Sequence, residues 1–156
     1  MILDILRGNM GMTEALLAFL LVIPSLLLSL TLHEVSHAYA AYLCGDPTAR
    51  NLGRLSLNPL KHLDPIGTAM MLLFGFGYAK PVPVMTRNFR KPRRDMVLVA
   101  LAGPLANFIL GFIGTFLFLL NAYYGGNGYF SVAAHLFLQY FTLINIGLGV
   151  FNLIPI

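Results

Sequence analysis

Residues 15–44 read ALLAFLLVIPSLLLSLTLHEVSHAYAAYLC. From Ala15 to Leu32 no Asp, Glu, Lys or Arg interrupts the run. As a helix, that run alone crosses most of a hydrocarbon core, which takes about 20 residues. Pro24 lies inside it. A proline kink is tolerable in a membrane helix, where neighbouring groups satisfy the freed carbonyl. The helical pattern continues through His33–Cys44 and breaks at Gly45-Asp46-Pro47. The chain is therefore expected to enter a membrane early and to carry HEVSH within the span.

The remaining composition agrees. Of 156 residues, 58% are hydrophobic and 10% are charged, with a mean hydropathy of +0.77. A disordered chain needs low hydrophobicity and high charge. A soluble globule of this size, one domain by length, could not cover so much apolar surface. The single cysteine, Cys44, excludes an intramolecular disulfide and a zinc site of four thiolates. The net charge is +4, and nine of the ten Lys and Arg lie between residues 45 and 94. Met96 to Ile156 carries no Asp, Glu, Lys or Arg. That distribution suits the positive-inside rule and contact with anionic lipid heads rather than a nucleic-acid partner. We expect an integral membrane protein of a prokaryotic cell membrane, its lipid bilayer the immediate partner and its basic loops cytoplasmic.

The fold expected is an α-helical polytopic membrane protein. It has three spanning helices (15–44, 95–121, 131–155), with a re-entrant hairpin and short edge-strand region at 45–94. Residues 1–14 read as an interfacial segment rather than a cleaved signal. Residues 65–79, PIGTAMMLLFGFGYA, are apolar but too short to span, and positive charge flanks both sides. A re-entrant hairpin follows. Pro81 and Pro83 forbid a helix and suit an extended edge. In the second span, Gly103, Asn107, Gly111 and Gly114 recur at three- and four-residue spacing, which allows close helix approach. No internal repeat is visible.

His33-Glu34-x-x-His37 carries the chemistry. Two histidines four apart share one helix face and can hold one Zn²⁺. Beside them, Glu34 can take a proton from a water that the metal acidifies. Shuffling this composition yields HExxH about once in a thousand chains. Two core histidines with a surface Glu is the bland alternative. It is weak within an apolar span, where each ionisable side chain costs roughly 3 kcal/mol. His33 lies about 16 Å before the helix end at about 1.5 Å per residue, nearer the cytoplasmic side. These features together point to peptide hydrolysis inside the membrane. Two rivals stay open: a metal-binding pseudoprotease that holds a client, and a metal or proton transporter. The second lacks another polar site and an inverted repeat.

HEVSH in a membrane helix is followed in order by GRLSLNPLKHLDPIGT, AKPVPV, RNFRKPRRD and AGPLANF. This set resembles the site-2 proteases, zinc intramembrane metalloproteases, and most closely a compact prokaryotic branch without PDZ or CBS domains. The resemblance implies His33 and His37 as zinc ligands, Glu34 as general base, and a membrane-spanning protein as substrate. It implies Asn107, in Gly103-Pro104-x-x-Asn107, as a substrate-backbone contact. It implies PVPV as an edge that binds unwound substrate. The family's third zinc ligand is an aspartate in an LDG motif after an N-x-x-P stretch, which Asn152-Leu153-Ile154-Pro155 resembles. The sequence reaches Ile156 without that aspartate. The expectation is a single membrane-embedded protease core over 1–156, truncated before the third ligand. His135, Asp64 and Asp95 are the conceivable substitutes. His62 reads as a solvent-facing loop residue, His135 as a packed or interfacial one, and Cys44 as a small side chain near a helix end.

Overall fold

The computed structural model describes residues 11–74 and 78–154. Residues 1–10 of the segment read as interfacial, residues 75–77 of the hairpin stretch, and Pro155 lie outside the described residues. Three long helices dominate: α1, Met12–Leu43; α4, Pro92–Tyr124; and α5, Tyr129–Phe151. All three are long and apolar enough to cross a membrane. The protein is an α-helical polytopic membrane protein, as its charge-free runs predict.

Local chemistry sets the helix ends. In α1, Ser25, Ser29 and Ser36 each donate to the carbonyl four residues earlier, so these hydroxyls are satisfied within the helix. The helix stops at Gly45, whose φ of +108° favours glycine. Gly45 N donates to Tyr42 O at 3.1 Å and Asp46 N to Ala41 O at 2.9 Å, a Schellman closure. Pro92 opens α4, where its missing N–H costs nothing. Asp95 folds back to accept from Lys91 N at 2.8 Å.

Packing follows the small residues. Gly103, Asn107, Gly111 and Gly114 are all buried on one face of α4. Gly111 and Gly114 face Asn145–Ile146 and Phe141–Thr142 of α5. The α4–α5 interface is the most extensive, with α1 against α4 next. Phe112, Phe116, Ile109 and Leu143 stand exposed. In a bilayer, acyl chains cover such side chains.

Between α1 and α4 lie short helical pieces: α2, Thr48–Asn51; a 3₁₀ turn, Pro59–Lys61; and α3, Pro65–Phe74. The re-entrant expectation takes a specific form. The chain leaves at Leu63 and returns at Ala79 through an antiparallel bridge, and Lys80 N donates to His62 O at 2.8 Å. The outgoing limb is helical. Among the described residues this bridge is isolated and no strand forms. Residues 80–85 run without helix, and a 3₁₀ turn follows at Thr86–Asn88. Arg90 N meets Cys44 O at 3.3 Å, so α1 ends where α4 begins.

Candidate active site

His33, Glu34 and His37 occupy one stretch of α1 and line a cavity of about 470 Å³. Leu30 of α1, Val99 of α4, Leu148 and Phe151 of α5, Asn152 just beyond it, and the returning segment at Tyr78, Ala79, Pro81, Val82 and Val84 complete its wall. His33 and Glu34 are buried, at 4% and 8% exposure. The i,i+4 spacing brings the two imidazoles together as the sequence predicts, with Nε2 to Nε2 at 3.0 Å.

Each imidazole is oriented from behind. His33 Nδ1 is 2.9 Å from Asn107 Oδ1, and His37 Nδ1 is 2.6 Å from the carbonyl of Val99. A carbonyl oxygen only accepts, so each Nδ1 carries the hydrogen and each Nε2 presents a lone pair. Two such lone pairs facing one another suit a cation between them. A carbonyl or amide oxygen on the far nitrogen is also the usual support of a metal-binding histidine. The residues present therefore fit two of the ligands of a Zn²⁺ site. No third His, Cys, Asp or Glu joins them among the described residues.

The conceivable substitutes lie elsewhere. Asp64 Oδ1 caps α3, accepting from Ile66 N and Gly67 N at 3.0 and 2.9 Å. Asp95 caps α4. His135 packs against Phe118 with the rings tilted and their centroids 4.2 Å apart, in keeping with its packed reading. Asn107 is fully buried behind His33; among the described residues its Nδ2 has no hydrogen-bond partner, and it is not part of the cavity wall they form. Gly103 lies against both rings: a Cβ there would sit 2.6 Å from His33 Cε1 and overlap His37 Nε2.

Three residues carry more structure than their sequence context suggests. Arg54 is buried, and its guanidinium donates to the carbonyls of Lys61, Lys80 and Pro81. Pro81, one of its acceptors, and the neighbouring Val82 line the cavity together with Glu34. Asp46 is fully buried and gathers Thr48 N, Asn88 Nδ2 and Met85 N at 3.1, 2.8 and 2.7 Å. Burial pushes the Asp46 carboxyl up, yet the bonds from Asn88, Thr48 and Met85 outweigh it and hold the group below its ordinary value. His62, expected in solvent, is 1% exposed and bonds Ser56 O at 2.7 Å through Nε2. The fold closes over that loop because Arg54 and the Leu63–Ala79 bridge draw it against the returning segment. The only cue in sequence was an Arg and a His spaced among Asn, Gly and Pro.

Comparison with known proteins gives a consistent result. The model described as peptidase family M50 matches residues 21–130. "Putative zinc metalloprotease YwhC" of Bacillus subtilis is 49% identical over 134 residues, 85% of this chain and 61% of that protein. "Putative zinc metalloprotease Rip2" of Mycolicibacterium smegmatis is 37% identical over 97 residues, 59% of this chain and 37% of that protein. The chain thus spans about three fifths of the first relative's length and less of the second's. No solved structure matches.

Proposed function

The chain belongs to peptidase family M50, the site-2 protease family, and from that premise we propose that it is a zinc-dependent intramembrane endopeptidase. It hydrolyses a peptide bond of a membrane-spanning substrate near the cytoplasmic side. The observation that carries this reading is the 3.0 Å convergence of His33 and His37 Nε2, with Glu34 in the same cavity. Polar groups in an apolar span are costly, and a catalytic use accounts for all three together.

His33 and His37 would hold a Zn²⁺, whose Lewis acidity would polarise a carbonyl and acidify water. The chain's own residues do the rest. His33 and His37 keep their Nδ1–H groups on Asn107 and Val99, which fixes both rings. Glu34 accepts the attacking water's proton and returns it to the departing amine nitrogen. A substrate helix must unwind to expose its amides. The returning segment walls the cavity, and beyond the Leu63–Ala79 bridge and the Arg54 contacts its backbone at 82–84 offers the unwound chain hydrogen-bond partners. The basic loops support a cytoplasmic setting for this end of the bundle.

Proteoliposomes containing the protein, zinc and a quenched-fluorescent single-span peptide test the proposal. Glu34→Gln should abolish cleavage and leave zinc content unchanged. A second reading is favoured by the two-imidazole donor set: a metal-binding membrane protein that holds a client without cutting it. On that reading Glu34→Gln changes neither zinc content nor client retention, and the wild type releases no product.

A further inference from the structure

Arg54 is a buried cation that the reaction outlined above leaves unused. It is 6% exposed, and its guanidinium faces the carbonyls of Lys61, Lys80 and Pro81. Taking a guanidinium out of water against carbonyl dipoles is costly, so its position calls for a reason. The partners supply one. Lys61 lies on the outgoing side of the 62–79 excursion, and Lys80 and Pro81 on the returning side. One planar fork spans both, beside the Leu63–Ala79 bridge. Residues 80–85 are thereby held at their start by Arg54 and at their end by Asp46, which accepts from Met85 N at 2.7 Å. Between these two buried clamps, Val82 and Val84 line the same cavity as Glu34.

Resting on the endopeptidase reading, we infer that Arg54 is a positioning residue. Its fork fixes residues 80–82 so that the cavity wall at Val82 keeps its place opposite Glu34. The substrate chain must lie between that wall and the histidines. Loosening the wall therefore weakens substrate binding before it slows the chemistry. Arg and Lys are not interchangeable here, because one ammonium cannot reach three carbonyls in a plane.

The test uses the full chain in nanodiscs, wild type against Arg54→Lys and Arg54→Gln. The first readout is hydrogen–deuterium exchange over residues 78–85. The second is cleavage of a quenched-fluorescent single-span peptide. Both variants should keep the wild-type zinc content and exchange this segment at least about tenfold faster. KM should rise about tenfold in Arg54→Gln and less in Arg54→Lys, with kcat within about threefold of wild type. Unchanged exchange in the Lys and Gln variants overturns the clamp. A fall in kcat at constant KM overturns its action through the cavity wall. If Arg54→Gln does not fold, Arg54→Lys decides the same points. A wild type that cleaves nothing counts against the endopeptidase reading, and exchange over 78–85 still decides whether Arg54 holds the segment.

Discussion

His33 and His37 point their Nε2 atoms at each other across 3.0 Å, while oxygens of Asn107 and Val99 hold both Nδ1–H groups. In neutral imidazole one nitrogen carries the hydrogen, so both facing nitrogens are bare. Their lone pairs repel unless a cation or a shared proton lies between them. Two ligands of a tetrahedral zinc at about 2.0–2.1 Å stand about 3.3 Å apart. The pair sits close to that spacing already. Metal binding at this site then requires only a small opening of the two rings.

Asn107 is the first point to probe. Its Oδ1 orients His33, and removal of such a partner typically costs about 10–100-fold in metal affinity. Asn107→Leu should weaken zinc binding by that range in a chelator competition. It should leave the fold intact, since it also removes a buried Nδ2 that has no partner. Unaltered zinc affinity with a raised KM would move Asn107 from ring support to substrate contact.

Gly103 is required by its surroundings rather than by its backbone angles. The nearest approach is to the two imidazole rings themselves: an alanine Cβ would overlap His37 Nε2 and lie 2.6 Å from His33 Cε1. The rings are fixed from behind and cannot yield. Gly103→Ala should therefore lower zinc content well below wild type and destabilise by about 1–3 kcal/mol, the usual range for overpacking. Gly147→Ala is the matched control, because nothing lies within 4 Å of a Cβ there. Equal zinc content in the two variants would refute this account.

These contrasts show what the sequence could convey. The three spans were legible because the absence of charge over long runs is a local, additive signal. HEVSH was legible because a spacing of four is itself the geometry that joins the imidazoles. Gly103 and Asn107 could be read as a close-packing stripe, but not as the floor and support of the histidines, since those partners lie more than 60 residues away. Arg54, Asp46 and His62 were illegible for a related reason. Their partners are mainly backbone groups, some on distant segments, and these carry no residue-type signature. In sequence these side chains look like an ordinary solvated loop. The prolines of PVPV excluded helix correctly, but they could not say which side chains hold the segment.

Asp46 gives a pH-dependent signature outside the spans. Its carboxyl is held below its ordinary value by Asn88, Thr48 and Met85 against the opposing effect of burial. A depressed folded pKa means that the unfolded chain takes up the proton more readily. The contribution is present above the unfolded value of about 3.9 and fades as pH falls through the lower folded one. Asp46→Asn should cost about 1–3 kcal/mol at pH 7, because a fully buried cluster of donors loses its charged acceptor. Thermal unfolding in detergent at neutral pH and near pH 3 measures the gap between wild type and variant. The gap should narrow at the acid end. A constant gap would mean that shape, not charge, carries the effect of Asp46.

Asn145 decides how much a polar contact contributes inside the bundle. It is fully buried, and its Nδ2 joins α5 to α1 through Ser29 Oγ at 2.8 Å. The same Nδ2 also reaches Phe141 O at 2.8 Å, while Oδ1 has no partner among the described residues. Interhelical hydrogen bonds in membranes average about 0.6 kcal/mol, with a maximum near 1.7. Ser29→Ala leaves the bond to Phe141 in place, so it should cost less than about 1 kcal/mol. Asn145→Leu removes an unpaired oxygen together with the bond, and the two effects oppose one another. It should therefore be close to neutral, whereas Asn145→Ala should be clearly worse through lost packing. A double-mutant cycle of Ser29→Ala and Asn145→Leu, followed by unfolding in mixed micelles, isolates the pair. A coupling above about 2 kcal/mol would exceed the ordinary range and make this contact a principal tie between the helix that carries HEVSH and α5.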